Sequence, residues 1–290
     1  MNIFITGSNG QVGFELERQF SFFGNVIAPT RQELDLSSAQ AVESFLSFNN
    51  PALILNAAAY TAVDKAEEDP RLARRLNSEL PSQLAEYAAS NNAILVHYSS
   101  DYVYPGNGTA PWTEHSPARP LSVYGHTKLE GDQSILESSS KHLIFRTSWV
   151  YSARGNNFMK TMLRLGQERD TLKVVNDQIG VPTPARLLAQ VTQLAIERRV
   201  PFGLYHLAPR GETSWHGFAT EIFRLAIGDG VPLTIHPNKV IGIPTADYPT
   251  LAERPLNSRM SLNKLEKALG VFLPDWRSQL KLTLEEAIAK

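Results

Sequence analysis

Cysteine is absent from the 290 residues. That removes disulfides, thiolate nucleophiles and cysteine-ligated metals, and it makes a reducing, cytoplasmic compartment the expected one. An excess of either charge is lacking as well. The chain has 28 basic and 29 acidic residues, a net charge of −1, with no block of like charges. The basic footprint of a nucleic-acid binder is therefore missing. No apolar run approaches the roughly 20 residues that a membrane span requires, so no membrane partner is expected. The opening "MNIFITGSNG" breaks at glycine too early for the apolar core of a secretory leader. The seven histidines include no H-E-x-x-H spacing, and no G-x-S-x-G elbow occurs. A zinc site and a hydrolase nucleophile are thus both unsupported.

What remains is an ordinary globular composition, 42% hydrophobic and 20% charged, long enough for one large or two modest domains. Strands are expected at Asn2–Thr6, Val26–Ala28, Leu53–Ala59, Ala93–Ser100 and Leu143–Tyr151. Helices are expected between them, at Gln11–Phe23, Ser38–Phe48, Arg71–Asn91 (kinked or broken at Pro81) and from Tyr124. Short strands rich in Ile, Leu and Val, alternating with helices, predict an α/β fold with a doubly wound parallel sheet of Rossmann type. From about residue 153 prolines cluster and strand-like pieces shorten. Helical patterns persist near Ala185–Arg198, Trp215–Ala226, Ser261–Leu269 and Trp276–Ala289. We read 1–152 as a dinucleotide-binding domain and 153–290 as a smaller α/β substrate lobe, with a soft boundary that the chain can cross more than once.

"ITGSNGQVGFEL" joins the first strand to the first helix, with glycines at Gly7, Gly10 and Gly13. Gly7 permits a tight turn, Gly10 lets a pyrophosphate approach the backbone, and Gly13 lets helix and strand pack closely. Gly7, Gly10, Gln11, Val12 and Gly13 are therefore candidate cofactor contacts at the positive end of a helix dipole. After the second strand the chain reads "APTRQELDLS", with Arg31 where NAD-preferring folds carry an acid. Arg31 can pair with a 2′-phosphate, which favours NADPH while leaving NADH open. Asp35 and Leu36 are placed to flank the adenine.

"SVYGHTKLEG" sets Tyr124 and Lys128 four residues apart, on one face of a helix. Alone, the pair is equally an ordinary helix surface. Beside a dinucleotide fold it reads as a proton donor with an ammonium that lowers the phenol pKa from about 10. The fourth strand ends "VHYSSDYVYPG", which makes Ser100 the candidate hydroxyl for the substrate oxygen and Ser99 the runner-up. His126 should point away from the Tyr124–Lys128 face.

With these stretches in hand, the chain resembles the extended short-chain dehydrogenase/reductases and, within them, the dTDP-4-dehydrorhamnose reductase family. The resemblance rests on "GSNGQVG", "NAAAYTAVDKAE", "HYSSDYVYPG", "VYGHTKLEG", "FRTSWVY", "GNNFMKTML", "NDQIGVPT" and "RPLNSRM". It implies NAD(P)H-dependent reduction of the C4 ketone of a dTDP-linked 6-deoxysugar, the last step to dTDP-L-rhamnose. Carried onto this chain, Tyr124 protonates the C4 oxygen, Lys128 holds the nicotinamide ribose, and Ser100 stands where relatives usually have threonine. Ala57, Ala58, Ala59, Tyr60 and Thr61 follow the cofactor. Asp101, Tyr102, Trp149 and Arg254 belong to the substrate side. A homodimer is left open. Some relatives are joined through magnesium held by glutamates. Here Glu15 is present, Arg186 replaces the second glutamate, and the short "EEAIAK" terminus offers no evident third carboxylate, so no metal is expected. Two other readings stay open: a sister reductase of another dTDP-4-keto-6-deoxysugar, and a noncatalytic regulatory subunit of the methionine adenosyltransferase type.

Overall fold

The computed structural model describes residues 1–289. The chain starts with β1 (Asn2–Thr6), α1 (Gln11–Phe20), β2 (Asn25–Ile27), α2 (Ala39–Asn49) and β3 (Leu53–Asn56). Short helices α3 (Val63–Glu68) and α4 (Pro70–Arg74), a π-helical turn at Arg75–Glu79 and α5 (Leu80–Ser90) lead to β4 (Ile94–Ser100). Then come α6 (Val123–Glu137), β5 (Lys141–Thr147), β6 (Val150–Tyr151), α7 (Phe158–Glu168), β7 (Leu172–Val175), β8 (Ile179–Gly180) and β9 (Thr183–Pro184). The remainder is α8 (Ala185–Glu197), β10 (Gly203–His206), β11 (Thr213–Ser214), α9 (Trp215–Gly228), β12 (Val240–Ile243), α10 (Asn263–Leu269) and α11 (Trp276–Ile288).

Six strands form one sheet in the order β2-β1-β3-β4-β5-β10, every pairing parallel. Alternate residues of one strand enter different cores, because successive side chains leave a strand on opposite faces. Ile3 and Ile5 pack with α1 and α8 residues such as Leu16, Leu188 and Val191. Phe4 packs on the other face with Val42, Leu46, Leu80 and Leu84. Both faces are dry, which is why these strands read as unbroken apolar runs. A third core holds the second half together around Met159, Phe218, Phe223, Trp276 and Leu284.

The parallel sheet and its order carry the expected α/β fold. Several boundaries differ from expectation. The first helix ends at Phe20 rather than Phe23. The third strand stops at Asn56, because Ala57 begins the loop that borders the cavity. The expected strand Leu143–Tyr151 is two pieces, broken at Ser148-Trp149 where Trp149 turns into a left-handed conformation, φ +49°. The kink expected at Pro81 is the π-helical turn just before it, so Pro81 sits in the first turn of α5. The helix Phe158–Glu168 was not anticipated. β10, from the second half, completes the sheet beside β5, and α8 returns to pack on α1, so residues 1–152 and 153–289 share one sheet.

Candidate active site

The cavity opens at the carboxyl ends of the parallel strands, beside the β1–β3 pair where the strand order reverses and ligands settle in open α/β sheets. Its volume is about 920 Å³. One end is lined by Arg31, Asp35 and Leu36, the other by Trp149, Trp215 and Arg254.

The glycine turn forms the floor at the first end. Gly7 has φ +69°, and a Cβ there would lie 3.0 Å from the Ala58 nitrogen. Gly10 precedes α1 without a side-chain cap, so the amides of the first turn stay free for a ligand. Gly7, Gly10, Gln11 and Val12 line the cavity, and Gly13 does not. Gly13 lies beneath the turn, where a Cβ would approach the Gly7 carbonyl oxygen to 2.1 Å. A turn of bare backbone with free first-turn amides fits a dinucleotide pyrophosphate. Arg31 is exposed at the rim. Glu33 is turned away: its carboxylate accepts the Thr30 N–H at 2.7 Å, and it does not line the cavity. Asp35 accepts hydrogen bonds from the Ser37 hydroxyl and amide, which hold its carboxyl below the usual range.

Ala57 to Thr61 run along the wall. Their loop is fixed by Asn77, a buried residue of the π-helical turn that sequence reasoning missed. Its amide accepts the Tyr60 N–H at 2.8 Å and donates to the Tyr60 carbonyl at 3.1 Å and to Thr127 at 3.2 Å. Nothing in "RLNSEL" marks that role, because an exposed asparagine on a helix gives the same letters.

Tyr124, Lys128, Ser100, Asp101 and Tyr102 meet at the centre of the cavity. Ser122 caps α6 by accepting the Gly125 N–H, which starts the helix that presents Tyr124 and Lys128. His126 is exposed on the opposite side, as its spacing predicted. Ser100 Oγ accepts the Tyr102 N–H and donates to Asp101 Oδ1 at 3.0 Å. Burial raises Asp101 to about 6, against hydrogen bonds from Ser258, Ser100 and the backbone that pull it down. Its Oδ2 has no partner among the described residues.

One expectation is corrected here. The lysine was expected to lower the phenol pKa of Tyr124. Instead burial dominates and raises it, with only the hydrogen bond to Ser100 pulling down. Lys128 Nζ points elsewhere, donating to the Tyr98 carbonyl at 2.7 Å and lying 3.2 Å from His97 Nε2. Its own pKa falls to about 8, through burial opposed by Asp132.

At the far end Trp149 stacks on Trp215 at 3.8 Å. A left-handed conformation is strained for so bulky a residue, and it aims the indole at the cavity. Gly180 makes room: a Cβ there would lie 3.0 Å from the Trp149 ring. Trp215 was not anticipated as a lining residue; its letters fit a buried helix start equally well. Arg254 bonds Asp64 at 2.7 Å and the Tyr102 hydroxyl at 3.3 Å.

The magnesium site of some relatives does not fit these residues. Arg186 lies between two carboxylates, Glu15 at 3.3 Å and Glu286 at 2.6 Å, and Arg18 approaches both. The Arg186 guanidinium is itself the cation that these carboxylates hold. Glu286 also corrects the reading of "EEAIAK", since that stretch does deliver a carboxylate to the cluster.

A parallel sheet with a glycine-cradled cavity at the carboxyl ends of its strands, lined by a tyrosine, a lysine and a serine, marks an oxidoreductase of Rossmann-like fold. Comparison with known proteins narrows the class. The family model described as RmlD substrate binding domain matches residues 1–288, and the chain belongs to that family. It is 45% identical to the dTDP-4-dehydrorhamnose reductase of Escherichia coli K12 over 294 aligned positions, covering 99% of this chain and 98% of that one. A dTDP-4-dehydrorhamnose reductase crystal structure from Clostridium acetobutylicum superimposes with a TM-score of 0.90 at 39% identity, covering 98% and 99% of the two chains. The enzyme from Bacillus anthracis, solved in complex with NADP, gives 0.90 at 32% identity over 98% and 99%.

Proposed function

We infer that this chain is an NADPH-dependent dTDP-4-dehydrorhamnose reductase, converting the C4 ketone of dTDP-4-dehydro-L-rhamnose to the alcohol of dTDP-L-rhamnose. The observation that carries the reading is one cavity with the glycine cradle at one end, the stacked tryptophans at the other, and Tyr124 between them. Bound NADPH supplies the hydride. Tyr124 then gives its hydroxyl proton to the C4 oxygen. Ser100 exchanges its bond to Asp101 for one to the same oxygen, and Lys128 holds the nicotinamide ribose. Gly7, Gly10, Gln11 and Val12 receive the pyrophosphate, Arg31 receives the 2′-phosphate, and Asp35 and Leu36 flank the adenine. Ala57, Ala58, Ala59, Tyr60 and Thr61 border the ribose and nicotinamide. Tyr102 and Trp149 enclose the sugar, and Arg254 meets the nucleotide phosphates.

Tyr124→Phe tests the central role. The ring and its edge-on contact with Tyr102 at 5.3 Å remain, and only the proton donor is lost. Turnover should fall by about 10²-fold or more, the scale of general acid catalysis, with NADPH affinity changed less than about threefold. Near-normal turnover would remove Tyr124 from the reaction.

A further inference from the structure

Behind Lys128 lies a buried polar chain that the reaction as described does not use. His97 on β4 is fully buried. Its Nδ1 is 2.9 Å from Asn56 Nδ2 on β3, and its Nε2 is 3.2 Å from Lys128 Nζ on α6. Asn56 Oδ1 accepts the Thr6 hydroxyl at 2.7 Å, and Thr6 Oγ1 accepts the Ala58 N–H at 3.0 Å. By the same Nε2, Asp132 Oδ1 lies 4.0 Å away and has no hydrogen-bond partner among the described residues, while Oδ2 accepts from Arg146 on β5 at 2.9 Å. Lys128 and Asp132, with neutral Asn56, are the groups that face this imidazole, and Arg146 is linked to it only through Asp132.

The directions of these bonds follow from counting hydrogens. The Ala58 amide can only donate, so it takes a lone pair of Thr6. The Thr6 hydrogen then goes to Asn56 Oδ1. That turns the Asn56 NH₂ toward His97 and makes Nδ1 the acceptor. The imidazole hydrogen is left on Nε2, facing Lys128. An Nε2–H is a poor neighbour for an ammonium and a good donor to an amine. Rotating the Asn56 amide would strand the buried Thr6 hydrogen. Burial and the nearby lysine keep His97 itself uncharged.

We propose that His97, oriented through Asn56 and Thr6, is the positioning residue that sets the protonation of Lys128 and links it to the cofactor wall at Ala58. Its consequence for turnover rests on the role of Lys128 given above: the ammonium is the active form, so His97 sets the alkaline limit of activity. Burial alone already lowers the proton affinity of Lys128 to about 8, against the pull of Asp132, and the Nε2–H acts in the same direction as burial.

The test follows the Lys128 ε-carbon by NMR through a pH titration of the cofactor-free protein labelled in lysine, with Lys128→Met to assign the signal. The wild type should titrate near pH 8. In His97→Gln the side-chain carbonyl can accept an ammonium hydrogen, and the midpoint should rise by about one unit or more. The alkaline limb of kcat/KM should move up by the same amount, while a merely structural residue would lower activity equally at every pH. Asn56→Asp is the second variant, informative if His97→Gln does not fold. Its carboxylate accepts from both Thr6 and His97 Nδ1, forces the hydrogen off Nε2 and should shift the midpoint the same way. Unchanged midpoints in folded variants overturn the proposal. A wild type that titrates as described but oxidises no NADPH would instead overturn the proposed function, so the two failures are distinguishable.

Discussion

At the scale of single residues, the site combines buried ionisable groups with exposed cofactor contacts. Asp101 illustrates the first kind. Its pKa is raised from 3.8 to about 6 by burial, so its ionised form destabilises the fold. That cost is absent below pH 3.8, grows as the pH rises toward 6, and is complete above it. Asp101→Asn should therefore raise the melting temperature at pH 7, by an amount corresponding to about 3 kcal/mol at most, with the gain vanishing near pH 4. Melting curves at the two pH values check this. Arg31 illustrates the second kind. Arg31→Ala should lower kcat/KM for NADPH about tenfold and leave NADH within about twofold. A parallel loss with both cofactors would detach Arg31 from the 2′-phosphate. Tyr124, Lys128 and Ser100 were legible from their letters because helix spacing and strand-end position follow from local rules. The direction of Lys128 was not. It is decided by His97 and the Tyr98 carbonyl, 31 and 30 residues away along the chain.

Elements position these residues, and here legibility was uneven. The first five strands followed from apolar runs that must be buried on both faces, whereas β10, which completes the sheet beside β5, did not. The π-helical turn at Arg75–Glu79 was invisible, because an inserted residue in a helix leaves no periodic mark over five positions. That turn faces α6, where a Cβ at Gly131 would come within 2.1 Å of the Asn77 carbonyl oxygen. It holds the Tyr60 backbone through the Asn77 side chain. Asn77→Ala leaves a backbone donor and acceptor without partners and should cost about 1–3 kcal/mol. It should also raise KM for NADPH, because the wall from Ala57 to Thr61 loosens, with a smaller change in kcat. Denaturant melts and initial rates together check both effects. An unchanged KM with lowered stability would confine Asn77 to the fold.

For the whole molecule, the decisive feature is that both halves build one cavity. The amino-terminal half supplies the glycine cradle, Tyr124 and Lys128, and the carboxyl-terminal half supplies Trp215 and Arg254. Gln11 Oε1, beside the cradle, accepts from Ser152 at 3.2 Å and Asn157 at 2.9 Å and so ties the segment before α7 to the cradle. That pairing was only partly legible. The cradle announces itself in a few glycines, whereas the sugar side is assembled from α9 and the loops around residues 149 and 254, whose meeting depends on tertiary packing. The central claim is that this cavity directs hydride and proton to a sugar C4 ketone. The most direct measurement is to incubate the protein with NADPH and dTDP-4-dehydro-L-rhamnose and identify the product by NMR. The account predicts stoichiometric NADPH oxidation and a single product, dTDP-L-rhamnose. Formation of the C4 epimer, or no oxidation of NADPH, would contradict it.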